Sequence, residues 1–350
     1  MFNDLFRNMA DALREWLTGL GISDGVTGAL MGGIGILSVL IFVLLNVIYL
    51  IYLERKVSAF IQLRLGPNRV GPRGLFQTVM DAIKLLVKED IIPKAVDKWV
   101  FVGAAAIVFM PIVMTLAVIP WGEGLAPANL NIGVLYFISI SSIGTIAFLM
   151  AGWGSNNKWS LIGGMRTVAQ MISYEIPLAF SILGVVMMVG SFNLTDIAEA
   201  QDKVWFIIPQ IVAFIIFFIA GTAELNRAPF DMPEAEQELV AGVFTEYTGM
   251  RWAMFFLAEY AGMISLSALG ATLFLGGYAA PFGLTFIPGY IWLVVKIYFF
   301  ILMFMWVRWT FPRIRVDHLM AFSWKILIPV SLGNVVLTGL GIYLYRVWGG

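Results

Sequence analysis

The stretch Val168-Ala169-Gln170-Met171-Ile172-Ser173-Tyr174-Glu175-Ile176-Pro177-Leu178-Ala179-Phe180-Ser181-Ile182-Leu183-Gly184-Val185-Val186-Met187-Met188-Val189-Gly190 holds a single formal charge, Glu175. At about 1.5 Å rise per residue it makes a helix of roughly 34 Å, enough to cross a hydrocarbon core about 30 Å thick. Seven further runs share this character, giving expected spans at 29–53, 99–121, 129–153, 168–190, 204–223, 252–277, 287–307 and 326–345. Charge inside them is confined to Glu175, Glu259 and Lys296. The whole 350-residue chain agrees, with 60% hydrophobic residues, 13% charged residues and a mean hydropathy of +0.88. Soluble domains carry about a quarter charged residues. The expectation is an all-α polytopic membrane protein: eight transmembrane helices in one domain over 29–345, with amphipathic interfacial helices and no interposed soluble domain.

Composition also removes function classes. A net charge of zero argues against nucleic acid as a partner. With no cysteine there is no disulfide, thiolate-held zinc or Cys-ligated iron–sulfur cluster, and the lone His318 excludes paired-His haem or metal sites. No metal site is expected, and the electrons of any redox reaction must travel on something else. A nucleophile–His–Asp triad has no support. No internal repeat or broken helix is evident.

Residues 1–28 read as an amphipathic N-terminal segment on the membrane surface, because Phe2, Leu5, Phe6, Met9, Leu13, Trp16, Leu17 and Leu20 recur at helical spacing. Asp4, Asp11 and Glu15 interrupt any signal-peptide core. The gaps after the first, third, fifth and seventh spans hold 17 Lys and Arg, against 4 in the N-terminus, the other gaps and the C-terminus. The positive-inside rule therefore puts both termini outside and the loops 54–98, 154–167, 224–251 and 308–325 in the cytoplasm.

The first of these loops opens Glu54-Arg55-Lys56, and Val57, Phe60, Ile61 and Leu65 then predict an interfacial amphipathic helix. Gly66-Pro67-Asn68-Arg69-Val70-Gly71-Pro72-Arg73-Gly74 follows. It reads either as a positive anchor with tight turns or as arginines aimed at lipid phosphate or an acidic partner, and it lacks a P-loop ending. The loop 224–251 is unusual, with Glu224, Asp231, Glu234, Glu236, Glu238 and Glu246 against only Arg227 and Arg251. Asp231 and Glu234 around Pro233 read as the capping box of a helix, which accounts for two or three acids and not for six. A proton-handling cluster and a solvated acidic face both remain open.

Glu175 lies nine residues past Arg166, and Glu259 eight past Arg251. Both therefore sit about 12–14 Å into the bilayer, where a carboxylate must be paired, hydrated or protonated. Lys296, twelve residues before Arg308, is similarly deep and reads as a counter-ion or a proton site. Aromatics beside Arg308, Arg313 and Arg315 read as an interfacial anchor.

Taken in order, the chain resembles the H subunit of bacterial respiratory complex I (NADH:quinone oxidoreductase), over about residues 30–345. The strings are Leu53-Glu54-Arg55-Lys56, Arg64-Leu65-Gly66-Pro67-Asn68-Arg69-Val70-Gly71-Pro72, Gly164-Met165-Arg166 and Ser173-Tyr174-Glu175. They continue as Ala223-Glu224-Leu225-Asn226-Arg227-Ala228-Pro229-Phe230-Asp231, Glu246-Tyr247, Ala258-Glu259-Tyr260, and Arg308 with Pro312-Arg313. The resemblance implies a bacterial inner-membrane subunit forming most of a tunnel through which quinone, the substrate, enters from the bilayer. It also implies a row of buried acids, here Asp81, Glu175, Glu224, Glu234, Glu236, Glu246 and Glu259, leading toward antiporter-like neighbours. Glu54, Arg55, Arg64, Arg166, Arg227 and Arg308 match polar positions around the tunnel and the interface with the hydrophilic arm.

On the same basis the chain holds no cofactor itself. NADH, FMN and iron–sulfur clusters belong to partner subunits, among which hydrophilic-arm subunits, small membrane subunits and antiporter-like subunits are implied. Departures from the family pattern are Glu234-Ala235-Glu236-Gln237-Glu238 for the commoner Glu-Gly-Glu-Ser-Glu, and Val316-Asp317-His318 for Tyr-Asp-Gln; the carboxylates are intact. The rival readings are a membrane-anchor subunit of an energy-converting hydrogenase and a free-standing proton transporter.

Overall fold

Long apolar runs in a bilayer satisfy their backbone polar groups by closing them into helices, and most of the described residues do so. The computed structural model describes residues 5–21, 23–202, 204–234, 236–281 and 286–348. Its helices are α1 (Leu5–Gly19), α2 (Asp24–Ile61), α3 (Gln77–Val87), α4 (Lys98–Leu116), α5 (Gly133–Ser141), α6 (Ile143–Gly154), α7 (Lys158–Val189) and α8 (Leu194–Glu199). They continue with α9 (Ile211–Glu224), α10 (Glu236–Leu239), α11 (Gly249–Phe274), α12 (Gly289–Thr310), α13 (Val316–Phe322), a π-helical turn at Ser323–Leu327, and α14 (Ile328–Trp348).

Seven helical stretches among the described residues are long and apolar enough to cross a membrane: Asp24–Ile61, Lys98–Leu116, Gly133–Gly154, Lys158–Val189, Gly249–Phe274, Gly289–Thr310 and Val316–Val347. The fifth expected span, 204–223, contains only the 14-residue α9, about 21 Å long, preceded by turns.

Several boundaries differ from the sequence expectation. The interfacial helix expected at 57–65 is not a separate element. With no Gly or Pro between Gly35 and Gly66, α2 runs on through Glu54-Arg55-Lys56 to Ile61, and Leu63 at φ +52° turns the chain out of it. Helix α7 begins at Lys158, so only three residues separate it from α6, and most of the loop expected at 154–167 is helical. The last loop likewise shortens, since α13 begins at Val316.

The helix expected from Asp231 and Glu234 does not form there. The chain turns through 232–234, and α10 begins only at Glu236, five residues past Asp231.

Helices are also interrupted, which the sequence did not disclose. The α5–α6 span breaks at Ser142, where the hydroxyls of Ser141 and Ser142 both lie 2.9 Å from Ile138 O, within reach to compete with the backbone ladder. Pro177 inside α7 leaves the Ser173 carbonyl without its helical donor. Ser323 Oγ supplies the replacement at 2.6 Å, and the π turn holds that serine against α7.

Helix α7 lies at the centre, against α6, α9 and α14. Its crossing with α6 depends on glycine, since a Cβ on Gly152 would stand 2.9 Å from Ser160 O and 3.1 Å from Gly164 Cα. Small residues allow such close approach where both sides are equally apolar.

Candidate functional site

Four separate elements bring charge to one point. Glu54 comes from α2, Arg227 from the turn after α9, Glu259 from α11, and Arg308 from the last turn of α12. Arg227 Nη1 donates to Glu54 Oε2 at 2.7 Å, and Arg227 Nε lies 2.8 Å from Glu259 Oε1. Arg308 Nη1 donates to the other Glu54 oxygen, Oε1. The Arg227 guanidinium also stacks over the Tyr260 ring, 4.5 Å from its centroid. Arg227 is 1% exposed and Glu54 4%, so each charge depends on the others, because a buried unpaired charge costs several kcal/mol. Burial alone would lower the Arg227 pKa; the Glu54 and Glu259 carboxylates override it, raise it and hold the guanidinium charged.

The turn that carries Arg227 is itself pinned. Gln170, buried on α7, donates from Nε2 to Ala223 O and Phe230 O, both at 2.8 Å, bracketing the segment on either side.

Beside this network lies a cavity enclosing about 1000 Å³ of empty space, its mouth included. Glu224, Asp231, Glu234 and Glu259 share its wall with Arg227 and Arg308, and the rest is mostly apolar, including Val108, Ile112, Phe148 and Phe255, with Thr115, Ser141, Asn226 and Ser265 as the neutral polar groups. Four carboxylates face two guanidiniums, so every proton gained or lost changes the charge of the chamber. Glu224 Oε2 and Arg227 Nη2 are buried without a hydrogen-bond partner among the described residues. No group of three or more His, Asp or Glu among the described residues could hold a metal ion.

A family model described as NADH dehydrogenase matches residues 34–339. The chain belongs to this family. Among its relatives, a protein of Carboxydothermus hydrogenoformans is 52% identical over 347 residues, covering 99% of both chains. One from Geobacillus thermodenitrificans is 53% identical over 330 residues, covering 94% of this chain and 98% of the relative. A Bacillus mycoides protein is 53% identical over 308 residues, covering 87% and 92%. All three are named as the H subunit of an NADH-quinone oxidoreductase.

The cavity thus gathers Glu224, Glu234 and Glu259 of the acids that the family resemblance singles out. Glu175 is not among the lining residues, but it is close enough to Glu224 for their charges to interact, and it lies within hydrogen-bond reach of Ser142 Oγ. Glu246 stands off the wall, where Asn157 Nδ2 donates to its Oε1 at 2.7 Å. Tyr247 beside it donates to Phe101 O at 2.9 Å, and burial pushes its phenol above the ordinary range. The Glu236 side chain lies outside the described residues.

Other expected residues sit elsewhere. Asp81 pairs with Arg55 at 2.5 Å on the partly exposed face of α3, away from the cavity. Arg64 is exposed and bonds Gln62, and Arg166 pairs with Glu238 at 2.5 Å. Lys296 is 5% exposed, yet its ammonium meets no carboxylate of the row among the described residues. It donates to Gly277 O and Ala279 O, both at 2.7 Å, and lies 5.2 Å from the Trp205 ring centroid.

Sequence reasoning missed Ser142, Asn157 and Tyr260, the neutral partners of charged groups, and Gln170, which pins the turn that carries Arg227. A hydroxyl or carboxamide inside an apolar span was the one available signal for Ser142 and Gln170.

Proposed function

We propose that this chain is a membrane subunit of a proton-pumping NADH:quinone oxidoreductase, forming much of the tunnel by which quinone enters and linking its reduction to proton translocation. The observation that carries this reading is the Glu54–Arg227–Glu259 network opening onto an acid-lined cavity. The relatives' names supply the electron acceptor class, and the residues around Glu54, Arg55, Arg64 and Arg308 supply polar groups at the expected tunnel mouth. NADH oxidation and the iron–sulfur clusters then reside in hydrophilic-arm partners, with antiporter-like subunits beyond the acid row. The positive loops face the cytoplasm of a bacterial inner membrane, with both termini outside.

In this mechanism quinone reduction takes up protons and alters the charge next to Glu54, Arg227 and the loop 224–251. At about 4 Å and an effective dielectric near 20, unit charges interact by about 4 kcal/mol. That is enough to redistribute protons among Glu234, Glu224, Glu259 and Glu175, and so to bias the pumping neighbours. Glu246 stands at the cytoplasmic edge of this path.

The test is Glu246→Gln in the assembled complex, reading NADH:quinone turnover and proton uptake in proteoliposomes. Assembly is expected to persist while coupled turnover falls; fully normal coupling would remove the acid row from the mechanism. A quinone photo-crosslinker is expected to label residues 54–72, and labelling confined to other subunits would remove the tunnel.

A further inference from the structure

Ser142 stands at the break between α5 and α6 with one hydroxyl hydrogen and two neighbours able to accept it. Its Oγ lies 2.9 Å from Ile138 O and also within hydrogen-bond reach of Glu175 Oε1. A serine hydroxyl donates once and accepts twice. Ile138 O does not depend on that one hydrogen, because it also receives Ser141 Oγ at 2.9 Å and the Ser142 backbone N–H at 3.2 Å.

We infer that Ser142 is the positioning residue that lets Glu175 exchange its proton without helix movement, a role that rests on the proton-coupling reading above. When Glu175 is ionised, the Ser142 O–H donates to the carboxylate and Ile138 O keeps its two other donors. When Glu175 carries a proton, its O–H donates to Ser142 Oγ and the serine hydrogen swings to Ile138 O. In each state Glu175 Oε1 and Ser142 Oγ stay hydrogen-bonded to one another, and apart from the exchanged proton the two differ by one hydroxyl rotation. The helix break supports this arrangement, since it places two hydroxyls on one carbonyl and frees one of them for the acid. Ser141, the other hydroxyl, lines the cavity that holds Glu224 and Glu259, so neighbouring hydroxyls face that chamber and Glu175.

The experiment uses the intact complex with Ser142→Ala, Ser142→Thr, Ser141→Ala and Glu175→Gln. It reads NADH:quinone turnover with proton uptake, and the carboxyl C=O stretch in redox-induced infrared difference spectra. Glu175→Gln identifies the Glu175 band by its loss. Ser142→Ala removes a hydrogen bond to a charged group and is expected to lower coupled turnover about tenfold. The same variant should move the Glu175 band to higher wavenumber, as a carbonyl does when its acid loses a hydrogen bond. Ser142→Thr, which keeps the hydroxyl, should restore both.

Ser141→Ala disturbs the same helix junction and should leave the band in place. A normal rate or unmoved band in Ser142→Ala overturns the inference, as does an equal shift in both alanine variants. Normal pumping in Glu175→Gln, with no band lost, would instead sink the proton-coupling reading, and this inference with it.

Discussion

Arg227→Met removes the cation shared by two carboxylates while keeping much of the side-chain volume. Glu54 then retains Arg308, whereas Glu259 loses the partner 2.8 Å away. Breaking a buried pair from one side costs about 3–5 kcal/mol, chiefly from the charge left behind. Here the lower end applies, because the Glu259 side chain is 25% exposed to the cavity and can be hydrated. Glu259→Gln in the same background removes the stranded charge, so the double variant should be less destabilised than the two single variants combined. The expected coupling energy is about 2 kcal/mol. It is read as a double-mutant cycle from SDS titration of the purified complex in mixed micelles, following unfolding of this subunit. Additivity within about 0.5 kcal/mol would refute the argument that Glu259 depends on Arg227 for its charge.

Gln170→Leu deletes two buried bonds to Ala223 O and Phe230 O, and is expected to cost about 2–3 kcal/mol. Hydrogen exchange should rise over 223–231, and unchanged exchange there would mean the turn holds without it. Lys296→Met should raise exchange over 275–281, where its two carbonyl partners lie, and leave proton pumping near the wild-type rate. A large loss of pumping with no change in exchange would return Lys296 to the proton path.

The spans were legible because twenty-odd apolar residues permit little else in a bilayer. Their ends were not, because charge-free runs stop at the first charge while helices do not: α2 continues through Arg55 and Lys56, and α7 begins eight residues before Arg166. The acids at Glu175 and Glu259 stood out by depth alone. What joins them was hidden by chain separation, since Glu54 meets Arg227 from 173 residues away and Asn157 meets Glu246 from 89. Asp81 shows the reverse, an acid that matched a family pattern and pairs outside the chamber with Arg55. The break at Ser142 left no mark, because serine is ordinary in a membrane span and its competition for Ile138 O exists only once the helix has formed.

Helix α2 is 38 residues long, a rod of about 57 Å, with Glu54 near its C-terminal end and Phe60 bare at the tip. Nothing hinges between those two residues, so a neighbour leaning on the tip acts on the carboxylate as on the short arm of a lever. A swing of about 5° around the midpoint carries Glu54, about 17 Å along the axis from it, by about 1.5 Å. Set against the 2.7 Å bond from Arg227 to Glu54, a shift of that size is enough to weaken the ion pair at the foot of the strut.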